Sequence, residues 1–199
     1  MGIAHTTLMS CLANESRSIL RLNKLNSYVL VLSVLTGLLP TIAFADTASL
    51  LDAAQNNDVT SAITLVNEGA DVNMAYPDGA TALHWAAHWG ATDLADRLLS
   101  EGAAVDAANE LGITPIAIAC RNGSEAMVET LLRADANAFA VEPSGETVLM
   151  SCSRTGLLGA VEKLLAAGAE PNSLETNSGQ SALMWAAAEG HTGVVDLLI

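Results

Sequence analysis

Thr81-Ala82-Leu83-His84-Trp85-Ala86 decides the reading of this chain, because the same phrase returns three more times. It reappears as Thr114-Pro115-Ile116-Ala117-Ile118-Ala119, Thr147-Val148-Leu149-Met150-Ser151-Cys152 and Ser181-Ala182-Leu183-Met184-Trp185-Ala186. The starts at 81, 114, 147 and 181 are 33, 33 and 34 residues apart. A fixed period of this size means one supersecondary unit stacked on copies of itself, each burying its apolar face against its neighbours. Such a stack exposes a long, pre-shaped surface with no evident catalytic pocket, so binding is the first function to consider.

Working outward from Thr81, each unit reads as turn, helix, tight loop, helix and glycine-containing exit. Asp78-Gly79-Ala80 makes the turn and Thr81 caps the first helix. Ala86 and Ala87 allow close packing, and Gly90 ends the helix. The second helix opens near Thr92-Asp93, where an acid suits the positive helix end, and buries Leu94, Leu98 and Leu99. Hydrophobic residues make up 51% of the chain but aromatic ones only 4%, so the core must be built of Ala, Leu and Val.

In register, these units resemble the ankyrin repeat, whose hallmark is T-P-L-H-x-A at about 33 residues per unit. The family's exit motif stands intact at Gly69-Ala70-Asp71-Val72-Asn73, with diluted versions at Gly102–Asp106 and Gly168–Asn172. The resemblance covers 47–199 and implies an all-α repeat solenoid of about five units: 47–77, 78–110, 111–143, 144–177 and an incomplete 178–199. A degenerate first unit starts at Ala48, and its polar Asp52, Gln55 and Asn56 suit a capping repeat. Asp135 stands where the family places Gly, so a left-handed residue there should cost stability. The loop from Asn172 to Gly179 is one residue longer than that from Asp106 to Gly112, which should reshape one finger. The pattern stops at Ile199 within a second helix, which raises the expectation that more repeats or another domain follow.

Residues 1–45 read differently. Arg17, Arg21 and Lys24 precede an uncharged run that reaches Ala45, with an apolar heart from Val29 to Leu39, breakers at Gly37 and Pro40, and Ala43-Phe44-Ala45 at its end. This is the pattern of a secretory signal cleaved before Asp46, with Met9 as an alternative start. A retained membrane anchor is the rival reading, since about 18 apolar residues can span a bilayer. Export to a periplasm or to the medium follows, and a bacterial periplasm suits the acidic mature chain. Without the leader, five basic side chains face 21 acidic ones. That balance repels nucleic-acid phosphates and anionic membranes, so neither is expected as a partner.

Two cysteines remain in 46–199, Cys120 and Cys152, nearly matched in consecutive repeats. Stacked helix axes lie about 8–10 Å apart, while a bridge needs Cα atoms within about 7 Å. Two small buried side chains are the expectation and a disulfide the alternative.

The resemblance implies that first helices and turn tips line a concave face. Three positions per helix point outward: Asp52, Gln55 and Asn56; Trp85, His88 and Trp89; Ile118, Arg121 and Asn122; Ser151, Arg154 and Thr155; Trp185, Ala188 and Glu189. All three tryptophans fall on this list, together with Arg121 and Arg154 at matching places. Trp and Arg are the side chains that most often carry interface energy. The candidate contact residues are therefore Tyr76 at a finger tip and Trp85, His88, Trp89, Ile118, Arg121, Asn122, Arg154, Trp185 and Glu189. An aromatic patch beside an arginine pair would suit a partner with apolar side chains next to a carboxylate. The competing structural reading has Trp85 and Trp185 packing on the fingers and the arginines offsetting nearby acids.

Other chemistry is weakly signalled. His84 and His88 have metal-binding spacing, but His84 is the motif histidine whose usual task is hydrogen bonding between turns, and no third ligand is placed. No nucleophile elbow and no phosphate-cradling loop occur. The expectation is a protein-binding scaffold that is not an enzyme, needs no cofactor or metal, and is a monomer. The alternative is the recognition arm of a larger exported enzyme.

Overall fold

The computed structural model describes residues 46–199; the signal segment 1–45, with its cleavage site, lies outside the described residues. Within them ten helices alternate with turns: α1 (Asp46–Gln55), α2 (Val59–Asn67), α3 (Ala82–Trp89), α4 (Thr92–Ser100), α5 (Pro115–Arg121), α6 (Glu125–Arg133), α7 (Val148–Arg154), α8 (Leu158–Ala166), α9 (Ala182–Glu189) and α10 (Thr192–Leu198). The first helices α1, α3, α5, α7 and α9 stack in one row and the second helices α2, α4, α6, α8 and α10 in another. This is an all-α repeat solenoid. No helix among the described residues is long and apolar enough to cross a membrane.

The core follows the small-residue bias of the sequence. Ala82, Leu83, Ala86 and Ala87 of α3 are fully buried, as are Ala119 and Cys120 of α5 and Leu98, Leu131 and Leu164 of the second helices. Alanine on the facing helix sides lets backbones approach, and each leucine removed from water contributes about 1.5–3 kcal/mol. Helix ends match their sequence signals. Thr81 is extended at the N-cap (φ −99°), Pro115 occupies the first turn of α5, and Gly90 closes α3 in the left-handed region (φ 68°).

Close approach explains the largest departure from the sequence reading. Cys120 and Cys152 are bonded in a disulfide, with Cα atoms 4.5 Å apart. Axis spacing misleads here, because Cα atoms lie about 2.3 Å off each axis. Two that face each other are therefore closer than their axes by nearly 5 Å. Both cysteines are small and buried as expected, but they are bridged.

The turns between units form fingers closed by short hairpin bonds. Tyr76 N–H donates to Ala80 O (2.9 Å), Asn109 to Ile113 (3.1 Å) and Glu142 to Glu146 (2.9 Å). In the last finger Glu175 N–H spans one residue more, to Gln180 O (3.0 Å), where the longer loop was anticipated. The extra length is held by the Glu175 carboxylate, which accepts from Asn177 and Ser178 N–H (2.6 Å each) and from the Ser178 hydroxyl. Those donors, the hydroxyl first, hold its pKa down at about 2.

Fingers also touch one another. Glu110 N–H donates to Asp78 O (2.8 Å) and Thr176 N–H to Ser144 O (3.0 Å). Pro143 occupies the equivalent place between those two and has no N–H to give. Gly145 (φ 79°) sits so close that a Cβ there would lie 2.9 Å from Thr176 N. Behind the fingers, Asn73 bridges two units by donating to Gly102 O (3.0 Å) and accepting from Ala104 N–H (2.8 Å).

Asp135 adopts φ 62°, the left-handed conformation foreseen for it. An L residue there costs about 1–2 kcal/mol, part of which a glycine returns through its larger unfolded-state entropy. Asp135→Gly should therefore raise stability by about 0.5 kcal/mol in urea denaturation. An unchanged or lower midpoint would show that Asp135 is already relaxed.

Candidate binding face

The first-helix row presents the positions singled out from the sequence, and several of them are engaged within the fold. At one repeat position, the last residue of α3 and the residue just after α5 and α7, a side chain reaches back to the preceding unit. Trp89 Nε1 donates to Gln55 O (3.0 Å), Asn122 Nδ2 to His88 O (2.8 Å) and Thr155 Oγ1 to Cys120 O (2.9 Å). The side chains thus bond carbonyls at the C-terminal ends of the preceding first helices, of which Cys120 O also accepts from Gly123 N–H (3.1 Å). Trp89 and Asn122 therefore lock unit to unit, yet Trp89 still leaves 48% of its surface exposed.

Trp85 and Ile118 are half-buried against the core, and Trp85 Nε1 has no hydrogen-bond partner among the described residues. His88 touches both neighbouring indoles edge-on, with ring centroids 5.8 Å from Trp85 and 4.8 Å from Trp89. Tyr76 curls back from its finger, its hydroxyl 2.7 Å from Asp52 Oδ1 and 3.2 Å from Gln55 Oε1. Burial, then the bond to Asp52, pushes the phenol up to about 12. Glu189 is exposed at the end of α9. Ser151 corrects the outward reading of its position: it is buried and donates to Glu146 Oε1 (2.5 Å).

The arginine pair is not free. Arg121 bonds Glu142 and lies 3.5 Å from Glu146, and Arg154 lies 3.5 Å from the other oxygen of Glu146. Arg154 also stacks on the indole of Trp185, 4.8 Å from its centroid, while Trp185 Nε1 donates to Gln180 Oε1 (2.6 Å). Burial raises the Glu142 pKa, with Arg121 pulling the other way. Elsewhere Arg97 pairs with Glu101, Arg133 with Asp96 and Lys163 with Glu129. Every Lys and Arg of the described residues is thus in an ion pair. The carboxylate-binding use suggested for Arg121 and Arg154 meets cations already neutralised by this chain.

Sequence reasoning missed Glu142 and Glu146, although a signal was present. Glu142 follows Arg121 by 21 residues, the interval at which Tyr76 follows Gln55. It also missed exposed apolar residues on the fingers, Leu111, Val141 and Leu174.

His84 does its work as a strut. Thr81 N–H donates to Nδ1 (3.1 Å), so the ring proton sits on Nε2, which donates to Ile113 O of the next finger (3.1 Å). Burial lowers its pKa. A histidine with a depressed folded pKa binds more protons unfolded, so its contribution is present above the unfolded value of about 6.5 and lost as pH falls below it. Urea midpoints should drop between pH 7.5 and 5.5, and less steeply in His84→Gln. Equal slopes would show that His84 is not the titrating group.

A family model described as ankyrin repeats (3 copies) matches residues 50–140 and 134–199. Among curated proteins no similar sequence was found.

Proposed function

Since the chain belongs to the ankyrin-repeat family, a family of protein-interaction scaffolds, we propose that it is an exported scaffold that recognises a protein or peptide through its concave face and finger tips. The observation that carries this reading is Trp89. A large aromatic side chain is half-exposed on a row whose backbone is stapled from unit to unit. A surface already folded loses little ordering entropy on docking, so more of its contact energy is available as affinity. The fingers add exposed apolar side chains of their own, Leu111, Val141 and Leu174.

Export is supported by two independent features: the leader-like 1–45 segment and the Cys120–Cys152 bridge, since disulfides form and persist mainly in oxidising compartments. An exported form that begins at Asp46 on N-terminal sequencing is the expected result; an intact leader in the cytosol overturns it.

The binding reading is tested by affinity capture from envelope extract with quantitative mass spectrometry. His88→Ala with Trp89→Ala should lose specifically captured proteins, while Glu129→Ala with Lys163→Ala on the second-helix face should not. Identical capture by both variants removes the concave face as the binding surface.

A further inference from the structure

We infer that the N-terminal half of the concave face is a receptor for a cationic side chain of the partner, an arginine or lysine held against Trp85 and Trp89 beside the Asp52 carboxylate. The inference rests on the reading of this face as a protein-binding surface and specifies the chemistry of the partner.

Repeat symmetry carries the argument. In the C-terminal half, the indole of Trp185 is covered by Arg154 from the preceding unit. Trp85 is the register equivalent of Trp185, two units of 33 and one of 34 residues earlier. The equivalent of Arg154 in the unit preceding Trp85 is Gln55, which is neutral. The acid side is present at both ends. At the C-terminal end Glu146 faces Arg154 (3.5 Å), and at the N-terminal end Asp52, three residues before Gln55 on α1, accepts from the Tyr76 hydroxyl (2.7 Å). One end of the face is therefore a complete arrangement of indole, cation and carboxylate. The other end has the indoles and the carboxylate without the cation.

The described residues have no cation to spare for that place. All five Lys and Arg side chains of 46–199 are engaged in ion pairs away from it, against 21 acidic side chains. A cation over an indole gains from the ring's negative face, more so when partly desolvated. Trp85 and Trp89, braced by His88 between them and by the Trp89–Gln55 bond, offer that face in a fixed position. The surrounding net negative charge steers a basic segment toward it. A carboxylate-bearing partner would meet the Asp52 carboxylate there, which the charge pattern disfavours.

The probe is a decapeptide alternating arginine and glycine, titrated into the full chain by calorimetry with tryptophan fluorescence in parallel. Salt is held near physiological strength, where the Debye length of about 8 Å screens diffuse attraction. The arginine peptide should bind, and the same peptide with neutral citrulline in place of arginine should not. Asp52→Asn and Trp89→Leu should each weaken binding about three- to tenfold, with Glu129→Gln on the outer face unchanged. Asp52→Asn keeps the indoles in place, so it reads the site even where loss of the Trp89 bond loosens the fold. Equal affinity for the arginine and citrulline peptides, no binding at millimolar peptide, or indifference to both variants overturns the cation site. If partner capture is lost in His88→Ala with Trp89→Ala but survives Asp52→Asn, the concave face stands as the binding surface and the cation receptor falls.

Discussion

Replacing Cys120 and Cys152 together by alanine lowers the unfolding free energy by about 3.5 kcal/mol, the expectation from loop-closure entropy for a separation of 32 residues. For a domain of this size that is a fall in Tm of roughly 10 °C. The bridge clamps α5 to α7 between the third and fourth units, directly beneath the Arg121–Glu142–Glu146–Arg154 cluster. Breaking it should therefore loosen that part of the face more than the N-terminal units. Both cysteines are fully buried, so reductant acts only through opening of the stack and native protein should resist millimolar dithiothreitol for longer than partly denatured protein. Urea denaturation by circular dichroism, with thiol titration of the unreduced denatured chain, checks the claim. Two free thiols in that titration of the form beginning at Asp46, or an unchanged midpoint in the double variant, refutes it.

The second large effect is expected from Arg121→Ala, at about 2 kcal/mol of lost stability. Breaking a fully buried ion pair costs about 3–5 kcal/mol, because the remaining charge stays in a poor environment. The figure is reduced here because the Arg121 side chain keeps 29% of its exposure, against 11% for Glu142. Glu142 Oε1 already lacks a hydrogen-bond partner among the described residues, so Arg121 is its main compensation. The pH dependence gives the prediction its sign. Burial already raises the Glu142 pKa, so the folded state binds the proton more tightly than the unfolded state. Removing Arg121 strengthens that bias. The deficit of Arg121→Ala should be large at pH 7 and shrink toward pH 4.5 as Glu142 becomes neutral. Arg121→Met with Glu142→Leu should recover most of the loss at pH 7. No deficit at pH 7 would place Arg121 outside the folding energetics, and a deficit independent of pH, or no rescue by the double variant, would overturn its assignment as the compensation for the Glu142 charge.

The structure redistributes roles among the residues marked from the sequence. Trp89, Asn122 and His84 were legible as outward or motif positions, and each hydrogen-bonds the neighbouring unit. Arg121 and Arg154 were legible as an arginine row, but their glutamates, Glu142 and Glu146, stand on the finger between the two helices, outside a helix-by-helix reading. Ser151 was placed outward by register alone, and the demand of Glu146 for a donor turned its position inward. In each case the residue was found and its partner was not.

By itself, the sequence determined what is local and periodic. The 33-residue beat, the caps at Thr81 and Gly90, the left-handed Asp135 and the longer last finger all depend on residues within a few positions of one another, so their physics is written in contiguous text. Only the tertiary structure decided how close consecutive units come. That distance is set by small residues meeting across α3, α5 and α7, and it brings the Cα atoms of Cys120 and Cys152 to 4.5 Å. The same closeness lets Glu142 and Glu146 neutralise the arginines and leaves Trp85, Trp89 and Asp52 as the end of the face with no cation of its own.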